Sequence, residues 1–313
     1  MENTVKEVVI IGTGPSALTA AIYTTRDEIE TVLYEKSIIG GLASTTDIIE
    51  NYPGFPKGIG GMALTDNIKQ QAERFGAKIE FGEVSALSDE GKFKTIVVDG
   101  KLVKAKAVLI ASGSNYAKLN IPGESDFCGR GVHYCATCDG AFYRDKNVVV
   151  VGGGNAAFQE AIFLTRFAKH IDLLVRNRIL ASTILQRKVQ EYIEAGKIKL
   201  QTGIELKEIK GSSGRVVAIR VTKKDRLIEL TTDGIFIFIG LKPNTDFLIS
   251  SGIKLDKTGF VKANKQLETS IPGVFASGDV RSGATMQVAA AVGDGAIAGI
   301  GICEYLFHKQ YTL

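Results

Sequence analysis

Cys135 and Cys138 are separated by two residues in Gly131-Val-His-Tyr-Cys-Ala-Thr-Cys-Asp-Gly-Ala-Phe-Tyr143, with Asp139 adjacent. Two thiols at this spacing can close a small disulfide ring, and an acid beside them can supply or take a proton. Four cysteines in a chain of 313 residues do not make a disulfide scaffold, so the pair reads as redox-active or metal-binding. Cys128, His133, Cys135 and Cys138 lie close enough to suggest a zinc knuckle, which would make the protein a metal-stabilised binding module and not an enzyme. Structural zinc sites usually draw on two separated pairs, and the offset of His133 from Cys135 is not that spacing. Dithiol chemistry is therefore the expectation, with no metal. His133 either tunes Cys135 by proximity or is a surface residue. Cys128 and Cys303 read as small buried or half-buried hydrophobes. Phe142 and Tyr143 read as core beside the loop, and His170 and His308 as solvated residues near helix ends.

The elements that must position this loop are two glycine-rich turns. Val8–Ile11 is an apolar strand, followed by Gly12-Thr-Gly-Pro-Ser-Ala17 and an amphipathic segment from Leu18 to Thr25. In a G-x-G-x-x-A turn the first glycine makes the bend and the second admits a pyrophosphate. The small third residue lets the helix pack, with its N-terminus toward the phosphate. A second strand, Thr31–Glu35, ends in an acid placed for a ribose. Val148-Val-Val-Val-Gly-Gly-Gly-Asn-Ala-Ala157 repeats the pattern, and Gly12/Gly152, Gly14/Gly154 and Ala17/Ala157 share an offset of 140 residues. The same offset carries Glu35 onto Val175, which can neither accept from a 2′-hydroxyl nor pair with a 2′-phosphate. Further buried strands are read at Ala107–Gly113, Gly234–Ile239 and Gly273–Asp279, a helix at Met62–Phe75, strands within Lys78–Asp99 and Lys199–Thr231, and a long helix at Ala289–Phe307.

Composition narrows the class. Hydrophobic residues make up 45% and charged residues 23%, with 35 glycines in short loops and 6 prolines, a globular balance for about two domains. The net charge of +4 carries no basic run with interleaved aromatics, so no nucleic acid is expected. Met1–Glu7 has no basic lead into an apolar stretch, and Val288–Ile302 is interrupted by Asp294 and glycines. No signal peptide and no segment long enough to span a membrane are expected, and a cytoplasmic location is the default. The tail Phe307–Tyr311 reads as a frayed terminus.

In this order, Gly12–Ala17, Glu50-Asn-Tyr-Pro-Gly-Phe55, Ile121-Pro-Gly-Glu124, Tyr134–Gly140, Gly152–Gly154, Ile239-Gly-Leu-Lys-Pro-Asn244 and Gly278-Asp-Val-Arg281 resemble the low-molecular-weight thioredoxin reductases, over nearly the whole chain. The resemblance implies an α/β fold with two Rossmann-like, three-layer ββα dinucleotide-binding domains of the pyridine nucleotide-disulfide oxidoreductase type. Residues 1–116 and 245–313 would form a discontinuous FAD domain, and 117–244 an inserted NAD(P)-binding-like domain carrying the Cys pair. It implies FAD held by Gly12, Gly14, Ser16, Ala17, Glu35, Lys36, Gly41, Leu42, Asn51, Val84, Ala111, Gly113, Asp279, Gln287 and Val288. Cys138 would lie against the flavin, Cys135 would attack the disulfide of thioredoxin, and Asp139 would move the proton. Members are homodimers whose domains rotate during turnover. A second C-terminal Cys pair is missing, which sets aside the high-molecular-weight relatives.

The departures bear on the electron donor. NADPH-dependent members carry His-Arg-Arg-x-x-x-Arg where this chain has Val175, Arg176, Asn177 and Ala181, and each lost charge-assisted phosphate contact is worth roughly 1.5–3 kcal/mol. Leu42 replaces the family's Gln, Met286 its Arg, and Gly-Gly-Gly-Asn-Ala-Ala its Gly-Gly-Gly-Asp-Ser-Ala. This pattern looks like the ferredoxin-dependent flavin thioredoxin reductases, so reduced ferredoxin is expected as donor and thioredoxin as acceptor. A conventional NADPH-dependent enzyme, using Arg176 and Arg178, is the alternative.

Overall fold

The computed structural model describes residues 5–46 and 48–311; His308 and the tail side chains after it fall outside the described side chains. Strand β1 (Lys6–Ile11) opens the chain, and its Val8, Val9 and Ile10 are fully buried, as expected for a parallel strand covered on both faces. Helix α1 (Pro15–Arg26) follows, with proline at its start, where no N–H is needed. Then come β2 (Thr31–Glu35), α2 (Gly41–Ser44), α3 (Gly61–Arg74), β3 (Lys78–Phe81) and the meander β4 (Val84–Asp89), β5 (Lys94–Val98) and β6 (Lys101–Ile110). After β7 (Ser114–Tyr116) the chain forms β8 (Val132–His133), α4 (Ala136–Asp139), a 3-10 turn at Gly140–Tyr143, β9 (Asn147–Val151), α5 (Asn155–Leu164), β10 (His170–Val175), α6 (Thr183–Glu194) and β11 (Ile198–Thr202). A second meander, β12 (Ile204–Ser212), β13 (Arg215–Lys223) and β14 (Arg226–Thr231), leads to β15 (Gly234–Ile237), β16 (Leu241–Pro243), β17 (Val274–Ala276) and α7 (Val288–Tyr311).

Two compact units result, Met1–Asn115 with Lys242–Leu313, and Tyr116–Leu241. The returning segment joins the first unit a little earlier than the sequence boundary at residue 245. Asn244 accounts for this: its N–H donates to Gly113 O (3.0 Å), its Nδ2 to Ser112 O (2.8 Å), and its carbonyl accepts from Ser112 Oγ (2.7 Å).

In the first unit the sheet runs β3-β2-β1-β6-β5-β4. Strand β17 pairs in parallel with the C-terminal end of β6, while β5 pairs antiparallel with its N-terminal end. Helix α7 lies on α1, and a Cβ at Gly295 would collide with the Ser16 carbonyl, so only glycine permits that approach. The 20-residue stretch Val288–Phe307 is in fact long and apolar enough, by length and composition alone, to cross a membrane, contrary to expectation. Here that composition serves packing: Ala298, Ile302 and Leu306 are buried in the core with α1. Asp294, the charge within this apolar helix, accepts from Arg281 Nε (3.0 Å), Arg281 Nη2 (2.9 Å) and Gly278 N (3.1 Å).

The second unit repeats the plan. A parallel sheet runs β11-β10-β9-β15-β8, beside the antiparallel sheet β12-β13-β14. The correspondence β1/β9 and β2/β10 is the structural form of the sequence repeat.

Candidate active site

In the first unit, Gly12 has φ 103°, and a Cβ there would strike the Ala111 carbonyl, so the bend requires glycine. Gly14 caps α1 with no side chain, which leaves the first-turn N–H groups open to an anion. Gly40 N donates to Thr13 O (3.0 Å), and a Cβ on Gly41 would sit 3.4 Å from Gly14 Cα, so the two backbone segments lie directly against each other. Glu35 Oε2 accepts from Thr13 N (3.1 Å) and Thr13 Oγ1 (2.7 Å), and Oε1 from Ser37 N (2.9 Å). Oε1 keeps a further lone pair for a ribose hydroxyl. Asn51 Nδ2 donates to Gln287 Oε1 (3.0 Å), bringing together two predicted cofactor residues 236 positions apart. Met286, just before Gln287, is in the left-handed region at φ 56°. Asp279 follows β17 in a 3-10 turn, and no donor among the described residues meets its carboxyl. Burial, then the charge of Asp294, raises its pKa from 3.8 to about 6. A free anion-binding helix end, a buttressed ribose acid and a desolvated carboxyl without a partner fit a dinucleotide such as FAD.

The other predicted residues serve other contacts in this structure. Ser16 is buried and donates to Ser277 Oγ (2.6 Å), Ala17 is core, and Ala111 backs Gly12. Gly113 receives Asn244 N, and Val288 starts α7 against the core. Lys36 is exposed and paired with Glu83 (3.2 Å), Val84 packs on the meander side of the sheet, and Leu42 is 44% exposed.

The second glycine loop keeps the bend but not the ribose end. Gly152 has φ 150°, and a Cβ there would meet Phe238 O, as Gly12 meets Ala111 O. Gly153, however, stands where Thr13 does, and Val175 where Glu35 does. Val175 is 1% and Ala181 5% exposed, both inside the apolar core of this unit. Leu180 N (2.6 Å) and Ala181 N (3.0 Å) donate to Gly153 O, and Ser182 N donates to Asn155 Oδ1 (2.8 Å). The loop after β10 is thus folded onto the glycine turn, with Arg176, Asn177 and Arg178 left exposed.

Cys135 and Cys138 are joined in a disulfide, and in that state the sulfurs are not thiolate ligands for zinc. Cys135 caps α4, with Cys138 N donating to its Sγ at 3.2 Å. The segment leading in is fixed by Glu124, 1% exposed, which accepts from Leu119 N (2.9 Å), Asn120 N (2.7 Å) and Tyr134 OH (2.8 Å). Asp139 Oδ2 lies 3.0 Å from His133 Nδ1, and His133 Nε2 lies 2.7 Å from Tyr143 OH.

Sequence reading missed part of this site and misplaced some of it. His133 is not a surface residue: it is buried, stacked on Phe236 at 5.2 Å, and its polar partners are Asp139 and Tyr143. Phe142 is half-exposed and not core, while Tyr143 is core. Cys128 is exposed where a buried or half-buried thiol was expected, and Cys303 is half-buried as expected. His170 starts a strand, with Nδ1 3.2 Å from Gly196 O. Thr13 and Ser277 had no motif signal, whereas Asp294 could have been found as the acid in an otherwise apolar helix.

Residues 6–295 match the family model described as pyridine nucleotide-disulphide oxidoreductase. The chain is 37% identical over 313 residues to the thioredoxin reductase of Bacillus subtilis (strain 168), covering 100% of this chain and 98% of the relative. It is 40% identical to that of Mycolicibacterium smegmatis, covering 98% and 99%. The crystal structure of thioredoxin reductase from Streptococcus pyogenes MGAS5005 superposes with a TM-score of 0.90 at 36% identity, covering 98% of this chain and 100% of that one. The fold class expected from the sequence is the one these relatives share.

Proposed function

The chain belongs to the pyridine nucleotide-disulphide oxidoreductases, in the low-molecular-weight thioredoxin reductase family, whose cofactor is FAD, and from that premise we propose that it reduces thioredoxin through Cys135 and Cys138 with ferredoxin as its electron donor. The observation that carries the thioredoxin reductase reading is the half-buried Cys135–Cys138 disulfide with Asp139 beside it, in a chain whose other unit presents an FAD-type turn. FAD, when bound, supplies the two-electron reduction of that disulfide. Gly12, Gly14, Ser16, Ala17 and Gly41 would hold its pyrophosphate, and Glu35 and Lys36 its ribose end. Leu42, Asn51, Val84, Ala111, Gly113, Asp279, Gln287 and Val288 would line the remainder. Once the pair is reduced, Cys135 attacks the thioredoxin disulfide, Cys138 resolves the mixed disulfide, and Asp139 carries the proton.

Support for ferredoxin comes from the ribose end of the second loop. Val175 and Ala181 are committed to the core. A 2′-phosphate would find neither the histidine nor two of the arginines. The second reading, NADPH, is favoured by exposed Arg176 and Arg178. Anaerobic addition of NADPH, NADH or reduced ferredoxin tests the choice: only ferredoxin is expected to bleach the flavin at a catalytic rate. Fast bleaching by NADPH would overturn the donor assignment and leave the thioredoxin reductase reading intact. A homodimer is the assembly inferred from the resemblance, with light scattering as the check on it, and a cytoplasmic location is the default reading of the sequence.

A further inference from the structure

We propose that His133 is a positioning residue of the dithiol reaction, holding the Asp139 carboxyl that carries the proton in each disulfide exchange. This deepens the reading of Cys135–Cys138 as an exchanging dithiol and rests on it. The geometry is a three-member chain. Asp139 Oδ2 is 3.0 Å from His133 Nδ1, and His133 Nε2 is 2.7 Å from Tyr143 OH. The imidazole is 7% exposed, stacked on Phe236 and set edge-on to Tyr143. His133 is also in sheet register with Phe236, so backbone and ring both fix it.

Tautomer follows from the partners. Tyr143 is buried, and burial followed by the charge of Asp139 pushes its hydroxyl well above the ordinary tyrosine range. It therefore keeps its proton and donates to Nε2. Nδ1 then carries the ring proton and donates to one oxygen of Asp139, leaving the other oxygen for proton transfer. When the site takes up a proton it lands on that free Asp139 oxygen, while the Nδ1–H donor holds the carboxyl in place. Charges facing the group from other elements are Arg215 and Asp233, which act on Tyr143 with opposite sign, and Lys146, whose ammonium lies 5.8 Å from the Tyr143 ring; Phe236 closes the ring face.

The exchange balances through this pair. The Cys135 thiolate attacks one sulfur of the partner disulfide. That S–S bond breaks, a Cys135–partner disulfide forms, and the departing sulfur takes the proton held by Asp139. Cys138 then gives its thiol proton to Asp139 and attacks Cys135 Sγ. The Cys135–Cys138 bond re-forms, and the second partner sulfur leaves with that proton. Two electrons and two protons pass from the dithiol to the partner.

The test separates proton handling from packing by the choice of disulfide. The full chain is reduced with dithiothreitol, freed of reductant, and mixed at pH 7 with either oxidised glutathione or 5,5′-dithiobis(2-nitrobenzoate). The first has a basic leaving thiolate that benefits from a proton. The second leaves as a stable aryl thiolate that needs none. His133→Phe keeps the ring stack and removes both nitrogens, and His133→Asn keeps an N–H donor on a shorter side chain that holds Asp139 less well. Glutathione exchange is expected to fall about tenfold or more in His133→Phe and by an intermediate factor in His133→Asn, with the aryl disulfide within about twofold of wild type. If His133→Phe does not fold, the selective loss in His133→Asn carries the result. Parallel losses with both disulfides, or no loss with either, would overturn the inference alone. A wild-type chain inert toward both would overturn the dithiol reading and this inference with it.

Discussion

Asp279 offers a sharp quantitative test, because its position costs stability. Its carboxyl is half-buried, met by no donor among the described residues, and faces the charge of Asp294. The folded pKa is raised from 3.8 to about 6. An acid whose folded pKa exceeds its unfolded one favours folding when protonated, so the stability it permits is present below pH 3.8 and lost as pH rises through about 6. At about 1.4 kcal/mol per pH unit, ionisation should cost the flavin-free chain about 3 kcal/mol at pH 7.5 and only about 1 kcal/mol at pH 4.5.

Asp279→Asn removes the charge and nearly keeps the shape. Urea denaturation of the flavin-free protein should then show the variant more stable than wild type by about 3 kcal/mol at pH 7.5, shrinking by about 2 kcal/mol at pH 4.5. Any constant offset from the amide cancels in that difference. Flavin affinity should move the other way, since a residue kept at this cost is one that serves a ligand. Parallel stability curves across the two pH values would refute the reasoning, because the penalty would then not be ionisation.

Glu124→Gln replaces one accepting oxygen by a donor amide where Leu119 N, Asn120 N and Tyr134 OH all donate, and should cost about 3 kcal/mol in urea denaturation. A loss below about 1 kcal/mol would mean those bonds contribute little net. In the oxidised chain, iodoacetamide at pH 7.5 should alkylate exposed Cys128 and spare Cys303. Burial and the Asp27 carboxylate push the Cys303 thiol up to about 12, and mass mapping of labelled peptides reads the contrast. Val175→His should destabilise the second unit by about 2 kcal/mol or more, since it buries a polar ring in a core position that is 1% exposed, whereas Asn177→Arg at an exposed position should be neutral; thermal unfolding distinguishes them.

The sheets, the duplicated plan and the Cys pair were legible in the sequence because each has a local signature. Parallel strands buried on both faces read as unbroken apolar runs such as Val148–Val151, and glycine turns occupy fixed offsets from them. The His133–Asp139–Tyr143 chain was not legible. It depends on a two-residue strand, Val132–His133, that no periodicity could announce, and on a ring-to-hydroxyl contact across ten positions. Phe142 and Tyr143 share a composition and a neighbourhood, and only the pitch of the 3-10 turn decides which one faces inward. Cys128 failed for a related reason: a small apolar side chain carries no signal of its side within a turn-rich loop.

The two glycine turns also show why such motifs report bending better than occupancy. At Gly12 and at Gly152 a side chain would collide with a carbonyl of a neighbouring segment, Ala111 in one unit and Phe238 in the other. Any fold of this plan must keep glycine there, whatever it binds. The ribose position is under no such demand. In the first unit Glu35 is held by Thr13 and Ser37, a polar arrangement that would be wasteful for packing alone. In the second, Val175 and Ala181 have joined the core. Packing has filled the ground that ligand contacts would otherwise hold, so the residue at the end of the second strand, and not the glycines, carries the information about what each loop holds.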